Sequence, residues 1–409
     1  MERFLLTCTR CGNTEPFDVK GKCGCGGTFL VEYDLPYLRK TWNRESLARR
    51  PWTMWRYREL LPVRQQACPV TLGEGGTPLL RLTPLERRLG LGGLYSKREE
   101  INPTGSFKAR GFSVAVTLLQ ERGIRKVAVN SNGNAASALA AYAACAGMEA
   151  FVFVPMDCPG LIVEEAVHYG ARVFLVDGLI QDAGRIVGRG IAEQGWFHAG
   201  TLREPGRAEG KKTMGLEVAE QLGWAMPNVI LYPTGGGSGI VGLWRAFAQL
   251  KELGWVQGDL PRLVSVQESG CEPIVRLLHD REGDSAAPCD GGSCDASPTG
   301  LLVPEPPDGK LIASILKQSG GDAIAVTREE IRQAQCESAR MGLSASPEGA
   351  AAFAGLFRLC ERRAVLPGET VVCFNTSHAA KYWPWQCHTS LPVVRCYEDV
   401  VFPSRQTGR

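Results

Sequence analysis

A lysine of this chain lies where its amine can readily be made reactive. In Asn102-Pro103-Thr104-Gly105-Ser106-Phe107-Lys108-Ala109-Arg110-Gly111, Pro103 and Gly105 mark a turn. The turn separates a strand-like run, Leu94-Tyr95-Ser96, from a helical pattern. Thr104 or Ser106 is the expected cap of that helix. Lys108 then falls in its first turn, beside unpaired N–H groups and the positive end of the helix dipole. A lysine so placed loses part of its preference for the charged form, and the neutral, nucleophilic amine comes within reach. A single lysine is more often a solvated surface charge, so the reading depends on the residues that accompany it.

A second stretch is built for an anion. Val229-Ile230-Leu231-Tyr232 reads as a buried strand running into Pro233-Thr234-Gly235-Gly236-Gly237-Ser238-Gly239. Apolar Ile240, Val241, Leu243, Trp244 and Phe247 follow at helical spacing. Such glycines let backbone N–H groups turn inward, and the helix start adds its dipole. The stretch is neither the GxGxxG of dinucleotide folds nor a P-loop, and a mononucleotide-like phosphate suits it better. Two further loops follow strands. Asn130-Ser131-Asn132-Gly133-Asn134 comes after Val127–Val129, and Asn375-Thr376-Ser377-His378 after Val371–Phe374.

Of 15 cysteines, the first four stand apart. Cys8 and Cys11 have the CxxC spacing of a zinc knuckle, and Cys23 and Cys25 form a shorter CxC, each pair with glycines beside it. Four thiolates at this spacing favour a closed, tetrahedral, structural zinc site. The other eleven are scattered in a long chain, which fits a reducing cytoplasm better than a disulfide framework.

The elements that must position these loops alternate along the chain. Strands are expected at 127–129, 151–155, 173–176, 229–232, 263–266 and 371–374. Helices are expected at 135–146, 162–169, 182–193, 217–222 and 327–341, the last with Thr327 and Glu330 as a capping box, and another starts at Ser346. The alternation implies parallel sheets covered by helices, with ligands beyond the carboxyl ends of the strands. Residues 281–309, rich in Gly, Pro, Asp and Ser and containing Cys289 and Cys294, read as a surface loop. The chain of 409 residues carries a formal charge of only +3, without basic blocks, which argues against nucleic acid as a partner. No apolar run nears the ~20 residues of a membrane span, and no signal peptide is evident, so a cytoplasmic location is expected.

A lysine able to form a Schiff base, together with a separate phosphate nest, is what pyridoxal 5'-phosphate requires. The chain resembles the threonine synthase branch of the fold type II pyridoxal-phosphate enzymes, the tryptophan synthase β family. The resemblance rests on the cysteine-rich start, residues 102–111 and 130–134, Arg203-Glu204-Pro205, residues 209–215 with Lys211-Lys212-Thr213, residues 233–239 and residues 347–351. It implies two doubly wound three-layer α/β/α domains with an N-terminal zinc-ribbon-like segment. Residues 1–35 would form the ribbon, 36–112 and 200–409 the large cofactor-binding domain, and 113–199 the small one. Homodimers are common in the family.

The resemblance also implies roles. Lys108 would form the Schiff base and shuttle protons, and Phe107 would pack beside the ring. Asn134 would bond the cofactor 3'-oxygen, and Gly235, Gly236, Gly237, Ser238 and Gly239 would hold its phosphate. Thr376 would meet the pyridine nitrogen. Residues 72–78, including Thr77, together with Asn102, Thr104, Ser106, Ser131 and Asn132, would hold the substrate. Lys211 would meet the substrate phosphate, with Lys212, Arg110 and Lys97 as further candidate cations. The implied reaction converts O-phospho-L-homoserine and water to L-threonine and phosphate. Two other readings stand beside it: a β-eliminating or β-replacing enzyme acting on a different amino acid, and a catalytically silent relative. Two departures flank the site. The acidic residue usual after the lysine of the strand before the Lys108 loop is here Arg98. The family's Thr-Gly-Ser-Gly-Leu-Lys after the last strand is here Thr376-Ser377-His378-Ala379-Ala380-Lys381, which introduces His378 as either an acid–base group or a packing residue.

Overall fold

The computed structural model describes residues 4–64, 66, 68–279 and 299–383. Most of the loop expected at 281–309, with Cys289 and Cys294, lies outside the described residues. Three sheets organise the remainder. Antiparallel strands Phe4–Cys8, Thr14–Pro16 and Phe29–Tyr33 form the first, with Phe4–Cys8 central. The second runs in the order Asp322–Val326, Arg262–Glu268, Val229–Pro233, Thr370–Asn375, Gly93–Arg98, Leu79–Arg81. It is parallel except for Leu79–Arg81, the antiparallel edge. The third is fully parallel: Arg172–Val176, Glu149–Pro155, Lys126–Asn130, Phe197–His198. Buried parallel strands read as continuous apolar runs, and Val229–Pro233 and Arg262–Glu268 have that composition.

Three helices join the sheets around the lysine. Lys108–Glu121 packs on Gly206–Gln221, which packs in turn on Ser238–Glu252. The backbones come close: a Cβ on Gly210 would lie 2.1 Å from the Arg110 carbonyl oxygen. The helix expected only from residue 217 therefore begins eleven residues earlier, at Gly206. Its N-terminus is capped from outside, since Glu204 accepts the N–H groups of Gly206 (2.6 Å) and Arg207 (2.8 Å). An amphipathic stripe cannot announce such a helix, because it is buried on every side with glycines and charges at the contacts. The amphipathic helix Arg328–Arg340 matches expectation, capping box included. Ser346 caps Pro347–Glu361 through the Gly349 N–H.

Candidate active site

Lys108 is the first residue of its helix, as expected, but the cap is not. Phe107 takes the cap position without a side-chain bond, and Thr104 Oγ1 and Ser106 Oγ have no hydrogen-bond partner among the described residues. Backbone pairing does the holding instead. Phe107 N–H donates to the Thr376 carbonyl (3.0 Å), and His378 N–H donates to that of Gly105 (3.0 Å). The lysine loop is thus bolted to the end of the Thr370–Asn375 strand. Thr104 sits at φ 60°, a costly conformation for a β-branched residue. The Lys381 ammonium holds its carbonyl at 2.6 Å.

Lys108 opens onto a cavity of about 690 Å³. Phe107, Ser131, Asn132, Asn134, Thr376 and the run Gly235–Gly239 all line it, so one wall brings together loops more than two hundred residues apart. Burial pushes the Lys108 ammonium down to about 7, the nearby Arg207 charge adds to this, and Glu348 opposes it. The amine is therefore accessible in its neutral form near neutrality.

The glycine loop turns at Gly237, φ 77°, into the Ser238–Glu252 helix. A side chain at Gly237 would meet Ile312 at 1.9 Å, so the turn admits only glycine. The first N–H groups of that helix lack intrahelical partners. Lys211 stands behind them and donates to Ser238 Oγ. Its ammonium is 5.3 Å from the centre of the Phe107 ring. Asn134 Oδ1, Asn132 Oδ1 and Tyr232 OH are buried without partners among the described residues. A cradle of helix N–H groups backed by lysine, with orphaned buried polar atoms beside an amine, is what a phosphate-bearing aromatic aldehyde would satisfy. The donor set fits pyridoxal phosphate.

Several expected substrate contacts go elsewhere. Thr77 is turned into a buried network, where its hydroxyl bonds Glu99 (2.6 Å) and receives Arg110 (3.1 Å). Asn102 bonds Glu99 and receives the Gly75 N–H. Arg110 spends all three nitrogens on Glu99, Glu217, Thr213 and Thr77. Lys97 pairs with Glu217 at 2.7 Å, and Lys212 pairs with Glu209. Thr104, Ser106 and Lys211 are close to the site but outside the cavity wall. Of the four cations named for a second phosphate, none faces the cavity, because carboxylates or the glycine loop already claim them.

Arg207 does line the cavity, and reading by motif passed over it. It is buried on the Gly206–Gln221 helix, one turn before Lys211, and lines the cavity. Its Nη1 donates to the Ala199 carbonyl, while Nε and Nη2 are unpartnered among the described residues. Burial lowers its pKa to about 10, against the pull of Glu204. The four-residue spacing from Lys211 was the available signal. Glu348 is a second addition. Its carboxylate accepts the Gly300 N–H (2.9 Å) and the Tyr382 hydroxyl, and that hydroxyl receives Asn134 Nδ2 at 2.8 Å. His378 does not line the cavity. Its Nδ1 accepts the Ala380 N–H (3.1 Å) and meets Ser344 Oγ (3.3 Å), capping a short turn.

The four thiols of Cys8, Cys11, Cys23 and Cys25 lie within 4.8 Å of one another, a cluster that suits a tetrahedral metal. Backbone N–H groups of Arg10 and Gly27 point at Cys8 and Cys25, both at 3.4 Å. Among the described residues no helix is long and apolar enough to cross a membrane.

Comparison with known proteins agrees with this geometry. The family model for pyridoxal-phosphate dependent enzymes matches residues 70–377. The chain is 36% identical over 381 residues to the threonine synthase of Methanocaldococcus jannaschii, covering 92% of this chain and 93% of that one. It is 33% identical over 327 residues to the threonine synthase of Mycobacterium bovis, covering 80% and 87%. Among solved structures, maize serine racemase superposes with a TM-score of 0.60 at 22% identity, covering 74% of this chain and 88% of that one. A threonine deaminase isoform from Solanum lycopersicum gives 0.59 at 21%, covering 75% and 85%. These two show the shared fold. The chain belongs to the pyridoxal-phosphate dependent enzymes of fold type II, in their threonine synthase branch.

Proposed function

We propose that this cavity converts O-phospho-L-homoserine and water to L-threonine and phosphate, with pyridoxal phosphate as cofactor and structural zinc at the four cysteines. The observation that carries the reading is that one cavity offers two anion positions beside a lysine amine of lowered pKa. The glycine loop backed by Lys211 is one, and the unpartnered guanidinium nitrogens of Arg207 are the other. A reaction whose cofactor and substrate both carry phosphate needs two such positions. The relatives named threonine synthase support the same reading.

Bound at the loop, the cofactor supplies an electron sink conjugated to the substrate Cα. The chain supplies the rest. Gly235–Gly239 would hold the cofactor phosphate, Asn134 its 3'-oxygen, and Thr376 would offer the ring nitrogen a neutral hydroxyl. Lys108 Nζ takes the proton from Cα and then one from Cβ. Arg207 neutralises the charge that grows on the phosphate as the Cγ–O bond breaks. Water adds at Cβ, and protons return to Cγ and Cα. Ser131 and Asn132 line the same wall, where they would orient the substrate carboxylate. Glu348 fixes Tyr382 and through it Asn134.

The test is a product assay. Purified, cofactor-loaded protein given O-phosphohomoserine is expected to release threonine and phosphate in equal amounts. Formation of 2-oxobutyrate or pyruvate in place of threonine would instead establish an eliminating enzyme.

A further inference from the structure

The four-cysteine segment does more than begin the chain. Lys22, immediately before Cys23, lines the same cavity as Lys108 and Arg207. Its ammonium donates to Thr28 Oγ1 (2.9 Å) and to the Pro307 carbonyl (3.0 Å). An ammonium has three donors, so one is left for a ligand. Among the described residues it forms no ion pair. Asp308 favours its charge from across Thr28, but is itself engaged: it accepts from Thr28 Oγ1 at 2.6 Å and caps the Gly309–Gln318 helix through the Leu311 N–H. With two neutral hydrogen-bond partners and its third donor unused, Lys22 is placed to receive an anion.

The placement of Lys22 is enforced from both sides. On one side Cys23 and Cys25 belong to the thiol cluster, and Lys22 bridges Thr28 across that turn. On the other, Gly21 N–H donates to the Arg203 carbonyl at 2.9 Å, and a Cβ on Gly21 would lie 2.4 Å from the Leu202 carbonyl oxygen. The segment is pressed onto the 201–203 turn, where Thr201 and Arg203 also line the cavity. The knuckle therefore forms part of the cavity mouth.

We propose that Lys22 is a specificity-determining residue: presented by the four-cysteine knuckle, its ammonium binds the phosphate of the incoming substrate. This deepens the reading above and rests on it, and it ties metal loading of the knuckle to substrate affinity without touching the cofactor site. A charge-assisted bond to phosphate is strong and short-ranged, so its loss is read as affinity.

The experiment uses the cofactor-loaded, metal-loaded full chain and inorganic phosphate as the probe, with binding measured by calorimetry and metal content and cofactor absorbance recorded alongside. Lys22→Ala is expected to weaken phosphate binding roughly tenfold or more, with cofactor absorbance unchanged, and Lys22→Arg to restore most of it. Stripping the metal from the parent protein is expected to weaken phosphate binding to a similar degree, and stripping it from Lys22→Ala to add nothing. Equal phosphate affinity in parent and Lys22→Ala overturns the proposal, as does a loaded parent that binds no phosphate. Lys22-dependent phosphate binding without threonine formation would sink the proposed reaction and leave this inference standing. Threonine formation with Lys22-independent phosphate binding would do the reverse.

Discussion

Two clusters of buried cations share the same pair of helices, and they behave oppositely. On Lys108–Glu121 and Gly206–Gln221, Arg110 faces Glu99 and Glu217, and Lys97 joins them from the sheet. Burial raises the Glu217 carboxyl, but Arg110 and Lys97 more than reverse this and bring it down to about 2. Two residues before Arg110 and four before Lys211, the same helices carry Lys108 and Arg207. Neither side chain forms an ion pair among the described residues, and burial lowers the basicity of both, as it does that of Lys97 in spite of its partner. A buried charge with its partner built in is architecture; a buried charge left without one is waiting for a ligand. The difference separates residues that the motifs alone could not, since Arg110, Lys97, Lys211 and Lys212 all read as candidate phosphate ligands.

Substitutions on each side should break this contrast in opposite ways. Lys108→Ala should show the largest effect on chemistry, a loss of roughly 10³-fold or more in turnover. Its unfolding midpoint in urea should be no lower than the parent's, because an unpaired buried cation has been removed. A marked loss of stability would put Lys108 in the architectural class. Arg110→Met should do the converse: leaving Glu99 without its cation and Glu217 with Lys97 alone should cost about 3–5 kcal/mol of apoprotein stability, measured by urea unfolding. If its stability stays within error, the paired cluster is not structural.

A subtler difference appears in pH. Capture of pyridoxal phosphate by the apoprotein needs neutral Lys108. Its fraction rises tenfold per unit up to a pKa of about 7 and then saturates. The capture rate should therefore climb to near pH 7 and flatten above it, whereas an ordinary lysine would keep climbing past pH 10. Stopped-flow absorbance from pH 5.5 to 9.5 distinguishes the two. The smallest effect is expected at His378, whose ring caps a turn away from the cavity. His378→Ala should leave the shape of the pH–rate profile unaltered, and loss of one limb would give the histidine an acid–base role after all.

Local patterns were enough for much of this molecule. A buried apolar run followed by four glycines in five residues marks the loop proposed to hold a phosphate, because such glycines cost entropy unless they serve a contact. Proline, glycine and a helical pattern put Lys108 at a helix start, and the thiol spacing brought the four cysteines together. The Gly206–Gln221 helix was only half visible, since burial on every side erases the period by which helices are read.

Which cation is free and which is paired depends on neighbours far away in the chain. Thr77 and Arg110 meet Glu99 and Glu217, and Tyr382 reaches Asn134 across 248 positions. Spacing along a strand or helix determines what a residue is able to do. Whether it is free to do it is settled by partners that only the folded chain brings within hydrogen-bond reach, and for Lys22 and Arg207 those partners leave a donor unused.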